Sequence, residues 1–324
     1  MKTLNNISKL LQKNFAVFTI VIALVAYFFP NVFLWSNPHM SLLMGLVMFG
    51  MSLTMEIQDF KQLVMKPKAM IVGLSCVFIA SSIVTIILVN ALHLPVALKI
   101  GILMCAAVPG GNITNVLTFI GKGDTPLSVG LTSVGTLIAP IVTPAMCLIL
   151  VRAWTDVDGP GMIKTMIISV IIPLLIGLAM KAWLKTIASK LEEFSPTISL
   201  VSLSIMTGGL IAGRKAALMG LDWRIFVTVL CFLILSTSAA YGISRLFRIN
   251  QYQRRAVAIE AGFKNTVLAA MLAGVSFKNY PESALVGIIA AVMAAVLGSI
   301  FANVMAKMPI TDGSGKEEIE SSEA

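Results

Sequence analysis

The chain is a succession of long apolar runs that are separated by short polar gaps. Runs such as Ile83–Val89 are continuous rather than alternating, and most of them contain few turn signals. A helix that crosses a bilayer needs about 20 mostly apolar residues, and runs of this length favour helices over buried strands. The pattern therefore predicts roughly ten transmembrane helices: Phe15–Trp35, Met40–Met55, Ala69–Leu92, Val96–Gly121, Leu127–Val151, Met162–Trp183, Ile198–Ala212, Ile225–Phe247, Arg255–Phe277 and Ala284–Ala306.

Composition strengthens this interpretation and excludes several classes of protein. Of the 324 residues, 57% are apolar and only 12% are charged, whereas a soluble domain has about a quarter charged residues. Water-soluble enzymes, nucleic-acid binders and disordered chains are therefore excluded. The net charge of +9 does not indicate a nucleic-acid partner, because the positive charges lie in the gaps between apolar runs. We expect an all-α integral membrane protein with the lipid bilayer as its surroundings.

The distribution of basic residues predicts the orientation, because cytoplasmic loops of membrane proteins carry an excess of Lys and Arg. With a cytoplasmic N-terminus, 16 of the 24 basic residues fall on the cytoplasmic side and 7 on the opposite side, while Lys264 lies inside a span. The cytoplasmic set includes Lys61, Arg254 and Arg255. An even number of spans then places both termini in the cytoplasm, and we expect the inner (cytoplasmic) membrane of the cell.

Two of the predicted spans are interrupted by residues that break helices. The fourth span contains Pro109-Gly110-Gly111-Asn112-Ile113-Thr114-Asn115, and the ninth contains Ile259-Glu260-Ala261-Gly262-Phe263-Lys264-Asn265-Thr266. Proline and glycine destabilise a helix interior, and broken backbone at membrane depth survives only where it is buried or lines a cavity. The glycines could instead serve close helix packing, and Glu260 with Lys264 could form a buried ion pair four residues apart. Charges inside a membrane are costly and usually functional, which favours a site.

The two breaks occupy matching positions, the fourth of five spans in each half of the chain. Five is an odd number, so the two halves would have inverted topologies, and matched interruptions of this kind indicate the central site of a transporter. The predicted organisation has two inverted repeats and a tail. They are a first repeat at 1–152 with its break near 109–115, a second repeat at 153–309 with its break near 260–266, and an acidic, disordered cytoplasmic tail at 310–324.

The chemistry of crossing broken helices favours an anion and a cation together. Half-helix N-termini carry partial positive charge and free N–H groups that suit a carboxylate, while unwound carbonyls and side-chain oxygens suit sodium. Ser128 and Thr132 are four residues apart and share one face of the fifth helix, although such hydroxyls often bond to their own backbone. The candidate oxygen ligands of the cation are Thr114, Asn115, Ser128, Thr132 and Glu260.

The interrupted segments also resemble those of the bile acid:sodium symporter family. The resemblance rests on Pro109–Asn115, Gly123-Asp124, Leu127–Val129 and Thr132–Val134, on Phe49–Thr54, and on Ile259–Gly262 followed by Asn265, and it extends from about Phe15 to Lys307. It implies ten spans, a core domain that moves against a panel of the first, second, sixth and seventh spans, and sodium-driven uptake of organic anions.

One sodium site of that family is matched by this chain, and the second is not. The first maps onto Thr114, where a serine is usual, and onto Asn115, Ser128, Thr132 and Glu260. At the second site the family has two glutamines, and this chain has Val77 and Lys264 in their places. We therefore hypothesise that the Lys264 ammonium replaces the second sodium, which leaves one sodium, or a proton, as the coupling ion. Strong repulsion between two cations in a low-dielectric setting is the physical reason.

The substrate is less defined by the sequence. Bacterial members often have a Trp-His-Asn cluster in the last span, where this chain has Met293-Ala294-Ala295, and Asn112 and Ile113 replace smaller residues at the first crossover. A small carboxylate of the pyruvate or pantoate kind suits two helix N-termini better than a bile acid. The expected substrate-binding residues are Asn112, Ile113, Thr114, Asn265 and Thr266.

The leading prediction is a sodium-coupled symporter that moves a small organic anion by alternating access. A proton-coupled carrier or a uniporter on the same fold is the first alternative, and a channel or membrane sensor is a weaker one. An enzyme is not expected, because His39 and His93 lie at span ends, far in sequence from Glu260. No nucleic acid and no obligate protein partner is expected.

Overall fold

The computed structural model describes residues 15–55 and 65–309, and within these ranges all regular structure is helical. The prediction of an all-α membrane protein is confirmed. The predictions for Met1–Asn14, for Lys61 and for the tail at 310–324 lie outside the described residues.

Thirteen helices follow one another along the described chain. They are α1 (Phe15–Phe28), α2 (Met40–Thr54), α3 (Pro67–Ala91), α4 (Val96–Ala107), α5 (Asn112–Ile120), α6 (Thr125–Leu150), α7 (Gly159–Trp183), α8 (Lys185–Ala212), α9 (Lys215–Met219), α10 (Arg224–Leu246), α11 (Gln251–Gly262), α12 (Thr266–Ser276) and α13 (Glu282–Lys307). Seven stretches are long and apolar enough to cross a membrane: α3, α6, α7, α8, α10, α13 and the stretch Pro30–Thr54 that contains α2. Helix α1 and the pairs α4–α5 and α11–α12 lie where the sequence predicts the three remaining spans.

Two helix boundaries differ clearly from the sequence prediction. Helix α1 ends at Phe28, and the chain continues through two 3-10 turns, Pro30–Val32 and Leu34–His39, because proline at 30 and 38 cannot continue the hydrogen-bond ladder. Helix α8 begins at Lys185 rather than at Ile198, since the polar stretch before the apolar run consists largely of good helix formers. The fourth and ninth spans are each two separate helices, which agrees with the predicted interruptions.

A π-helical turn interrupts α3 at Cys76–Ala80. Turns of this kind are rare and occur frequently at functional sites, because the wider turn redirects backbone carbonyl groups. A second π turn, Ile167–Ile171 in α7, precedes Pro173, which has no N–H to donate. The turn in α3 matters for the site, since it contains the carbonyl of Val77.

The first, second, sixth and seventh spans pack together, as the family resemblance implies. Helix α2 packs against α7 and α8, and α1 packs against α8. Close approach depends on small residues: a side chain at Gly177 would collide with Ser52, and one at Gly50 would collide with Ser199. The Lys181 ammonium of α7 donates to the carbonyls of Leu53 and Met55 at the end of α2, at 2.9 and 3.0 Å. We call these four helices the panel and the helices α3–α6 and α10–α13 the core.

The panel covers the two short half-helices of the core unequally. Helix α12 packs against α2, α7 and α8 of the panel, and every residue from Leu268 to Ala273 is at most 1% exposed. The main neighbours of α5 are α6, α11 and α13, all of them in the core. Its outer face is open, with Val116 56% and Phe119 74% exposed and Asn112 also exposed.

Candidate functional site

The two interrupted spans cross at their breaks and are joined there by backbone pairing. Gly110 and Lys264 form an isolated antiparallel bridge, and the Asn265 N–H donates to the Pro109 carbonyl at 3.0 Å. This pairing satisfies part of the backbone that the breaks set free, as broken chain at membrane depth requires. At the crossing, α4 and α11 end, α5 and α12 begin, and backbone hydrogen bonds join the two chain segments.

Local sequence explains why each helix stops at the crossing. Pro109 cannot donate to the preceding turn, and Gly111 is extended with φ −128° and ψ 172° before α5 starts. Gly262 is the last residue of α11, and a side chain there would collide with the Thr237 hydroxyl of α10. The Asn265 side chain then accepts from the Leu268 N–H at 3.1 Å and caps α12.

Three hydroxyl groups surround one carboxylate oxygen in the core. The Oε1 atom of Glu260 accepts from Thr114 at 2.5 Å, from Ser128 at 2.6 Å and from Thr132 at 2.8 Å. The Asn115 amide oxygen lies 2.9 Å from the Ser128 hydroxyl and 3.3 Å from the Thr132 hydroxyl. The structure thus brings together all five residues that the sequence proposes as cation ligands. They come from α5, α6 and α11.

The second carboxylate oxygen of Glu260 lacks a partner. Its Oε2 atom is buried and has no hydrogen-bond partner among the described residues. It points toward Gly110, where a Cβ atom would collide with it. An unpaired buried carboxylate oxygen is costly, and a bound cation would remove that cost. The oxygen cluster therefore suits sodium in its chemistry as well as in its composition.

Lys264 lies in a separate pocket of oxygen atoms. Its ammonium donates to the Ala106 carbonyl at 2.6 Å, to the Ser81 hydroxyl at 2.8 Å and to the Val77 carbonyl. The Phe78 ring lies 5.8 Å from the nitrogen, within cation–π range. A lysine ammonium has three N–H donors, and all three have acceptors here. The Val77 carbonyl comes from the π turn of α3, and the Ala106 carbonyl comes from the end of α4.

The alternative of a Glu260–Lys264 ion pair is wrong. Within the described residues the two side chains do not approach within ion-pair distance. Helix α11 ends at Gly262, so the two residues do not share a helix face although they are four apart. Glu260 points toward α5 and α6, whereas Lys264 points toward α3 and α4.

The expected substrate-binding residues lie around the crossing but differ in exposure. Asn112 is exposed, and Ile113 and Asn265 are half-buried. Thr114 and Thr266 are buried, and the Thr114 hydroxyl is already engaged by Glu260. The side of the crossing that Asn112 occupies is also the side on which α5 is open.

Two residues of the site were not singled out by the sequence. Ser81 accepts from the Lys264 ammonium, and the Thr118 hydroxyl donates to Ser128 at 3.2 Å. Ser81 lies four residues after Val77, so helical spacing could have indicated it. Arg255, which the prediction counts with the charges of the cytoplasmic side, does not lie in a loop but in α11. It is 1% exposed and donates to the Gly121 and Met308 carbonyls at 2.9 and 2.8 Å.

The comparisons with known proteins agree with this geometry. Residues 41–221, more than half of the chain, match the sodium bile acid symporter family. The chain belongs to this family. It is 30% identical over 95% of both chains to a protein of Bacillus subtilis (strain 168) named as an uncharacterized sodium-dependent transporter, YocS. It is 26% identical to the probable chloroplastic sodium/metabolite cotransporter BASS1 of Oryza sativa subsp. japonica, over 94% of this chain and 75% of that protein.

Family membership establishes the general activity. The protein is a sodium-coupled membrane transporter that spans the membrane several times. The described residues contain no cluster of three or more His, Cys, Asp or Glu side chains that would hold a metal ion.

Proposed function

We propose that this protein is a symporter that couples the entry of one sodium ion to that of a small organic anion, such as a pantoate- or pyruvate-like acid. The observation that carries the proposal is the crossing itself. It combines an oxygen cluster around Glu260 with two half-helix N-termini that suit a carboxylate. In this proposal Thr114, Asn115, Ser128, Thr132 and Glu260 bind sodium, and Asn112 and Asn265 are the exposed and half-buried contacts of the anion.

Lys264 in this proposal takes the place of the second sodium ion. Two backbone carbonyls and one hydroxyl accept from its ammonium, so a tethered charge fills a pocket of the kind that would otherwise hold a small cation. The same contacts favour a fixed cation over a proton carrier, because a neutral amine would leave part of this acceptor set unused. Proton coupling through Lys264 and uniport remain the alternative functions to be tested.

The two inverted repeats at 1–152 and 153–309 are part of the same proposal. The breaks lie in the fourth and the ninth span, and the panel covers α12 while leaving α5 open. In alternating access, the core would move against the panel, so that α12 becomes uncovered and α5 becomes covered. We further propose that the protein lies in the inner membrane with both termini in the cytoplasm, on the basis of its Lys and Arg distribution.

The experiment is uptake into proteoliposomes that contain the purified protein. Radiolabelled pantoate and pyruvate are tested with an inward sodium gradient, with potassium in its place, and with a proton gradient alone. We expect sodium-dependent uptake with a Hill slope of about one, as for a single coupling ion. The double variant Lys264→Gln with Val77→Gln restores two amides and should move the slope toward about two.

Lys278→Gln is the matched control, since it removes an exposed lysine from a loop outside the crossing. It should leave both the sodium dependence and the slope unchanged. A wild-type slope of about two would contradict the replacement of a sodium ion by Lys264. Uptake driven by protons without sodium would support the proton-coupled alternative instead.

A further inference from the structure

The seam between the panel and the core contains a guanidinium group whose Nε atom has no hydrogen-bond partner among the described residues. Arg214 follows α8 of the panel, and its side chain lies against Gly274 of α12 in the core, where a Cβ atom would collide with its Nη2 atom. The absence of a side chain at Gly274 therefore provides the space that the guanidinium occupies. This contact lies near the end of α12, away from the crossing.

The charge of Arg214 is not compensated by the described residues. Its Nε atom is buried and has no hydrogen-bond partner, and no described carboxylate lies within ion-pair distance. Arg214 as a whole is half-buried, and this partial burial lowers the pKa of its guanidinium, as expected for a charge that is partly removed from water. A buried donor of a charged group that lacks an acceptor requires an explanation.

Neighbouring basic residues at the same end of the molecule have clear partners. The Arg224 guanidinium pairs with Asp222 at 2.5 Å and also donates to the His93 carbonyl. The Lys215 ammonium lies 5.1 Å from the Tyr27 ring, and the Lys99 ammonium lies 5.0 Å from the Trp154 ring. Arg214 differs from these residues because its guanidinium still has N–H donors available. It also lies on the seam that would open during alternating access.

The surroundings supply a second polar group. The side-chain amide of Asn37 lies beside Gly213, which precedes Arg214, and a Cβ atom at Gly213 would lie 2.8 Å from the Asn37 nitrogen. A guanidinium offers parallel N–H donors that match the two oxygens of a carboxylate. An amide can add one donor at the edge of such a site.

We propose that Arg214, together with Asn37, forms an outer anion site that takes up the carboxylate of the substrate from the external face before the substrate reaches the crossing. When the core moves away from the panel, Gly274 withdraws and the guanidinium faces the widening seam. The proposal rests on the function proposed above, since it requires an organic anion as substrate. The expected external face follows from the orientation that the basic residues predict.

The test compares transport from the two faces of the membrane. Radiolabelled pantoate and pyruvate are supplied to whole cells, which present the outer face, and to inside-out vesicles, which present the inner face. Arg214→Gln should raise the KM on the outer face roughly tenfold, the size of effect that one lost charge-assisted hydrogen bond predicts. The KM on the inner face and the half-saturating sodium concentration should stay at their wild-type values.

Lys215→Gln is the matched control, because it removes one positive charge at the next residue. Its KM should stay within about twofold of wild type, as for a charge close to solvent. Arg214→Lys should show a smaller rise than Arg214→Gln, since it keeps the charge and loses the planar donors.

Three results would overturn the outer site: an unchanged KM in Arg214→Gln, an equal rise on both faces, or an equal rise in Lys215→Gln. If the wild type transports both anions and Arg214→Gln behaves like it, only the outer site is wrong. If the wild type transports neither anion in the presence of sodium, the proposed function is wrong, and this inference is wrong with it.

Discussion

The two intramembrane charges of this protein are stabilised by different chemistry, although they are only four residues apart. Glu260 is surrounded by hydroxyl donors at one oxygen and is unpaired at the other. Lys264 has acceptors for each of its hydrogens. Because all three donors of Lys264 have acceptors, we expect it to be a fixed positive charge. Because one oxygen of Glu260 has no partner among the described residues, we expect Glu260 to bind a cation that is released during transport. In the proposed mechanism only the site at Glu260 binds sodium, whereas the family resemblance implies two sodium ions.

Gly110→Ala tests the role of the unpaired carboxylate oxygen. The new methyl group would collide with Glu260 Oε2, and the flexible side chain can move away without unfolding the helix. We expect the half-saturating sodium concentration to rise roughly tenfold, about 1.4 kcal/mol of binding free energy, with the thermal stability little changed.

Gly111→Ala is the control for this variant. A Cβ atom there would lie 3.4 Å from the Asn265 Cβ, which is ordinary contact. Sodium activation of uptake should therefore stay at its wild-type value in Gly111→Ala. Equal sodium activation in Gly110→Ala and wild type would argue against a cation at Glu260.

At the scale of elements, the broken helices need support at both of their ends. The crossing supports the inner ends through the bridge between Gly110 and Lys264. The C-terminal end of α5, away from the crossing, is stabilised by Arg255, whose guanidinium donates to the Gly121 and Met308 carbonyls. These carbonyls follow the C-termini of α5 and α13, where the helix dipoles are negative. A buried arginine without a carboxylate partner is thereby compensated by two helix ends.

Replacement of Arg255 should destabilise the core. Arg255→Met leaves two carbonyl groups without their donor, which costs about 1–3 kcal/mol for the buried Gly121 carbonyl and less for the carbonyl of Met308, since that residue is exposed. We expect a lower melting temperature in a thermal unfolding assay of the detergent-solubilised protein. Arg255→Lys keeps the charge but can reach fewer acceptors, so its melting temperature should fall between those of Arg255→Met and wild type. A melting temperature of Arg255→Met equal to that of wild type would contradict this role.

At the scale of the whole molecule, the described conformation is asymmetric about the crossing. The panel packs on α12 and leaves the outer face of α5 exposed, so access to the crossing is expected from the α5 side. The substrate could not reach the crossing along α12, because the residues from Leu268 to Ala273 in this helix are buried.

Thiol labelling can measure this asymmetry. In a background in which the four native cysteines are replaced, Val116→Cys on α5 should react with a membrane-impermeant maleimide from one face of the membrane. Ala270→Cys on α12 should be protected from the same reagent, because its position is fully buried. Labelling of Val116→Cys from neither face would show that this side of α5 faces lipid rather than a water-filled crevice.

The sequence by itself determined the class of fold and identified the residues that meet around Glu260. Long apolar runs with few internal turn signals specify membrane helices, and the Pro-Gly-Gly and Gly-Phe-Lys-Asn segments mark the breaks because proline and glycine destabilise a helix interior. Helical spacing and the family resemblance were enough to propose the five cation ligands, Thr114, Asn115, Ser128, Thr132 and Glu260. They were not enough to predict the boundaries set by prolines in 3-10 turns, as at Leu34–His39.

Only the tertiary structure decided which groups meet. Sequence separation suggested that Glu260 and Lys264 could pair, but the end of α11 at Gly262 turns their side chains to opposite sides of the crossing. The partners of Lys264 are backbone carbonyls from α3 and α4, and carbonyl groups leave no mark in an amino-acid sequence. The same holds for the burial of Arg255 and for the unpaired Nε atom of Arg214, since both depend on helices that are distant in the chain and adjacent in space.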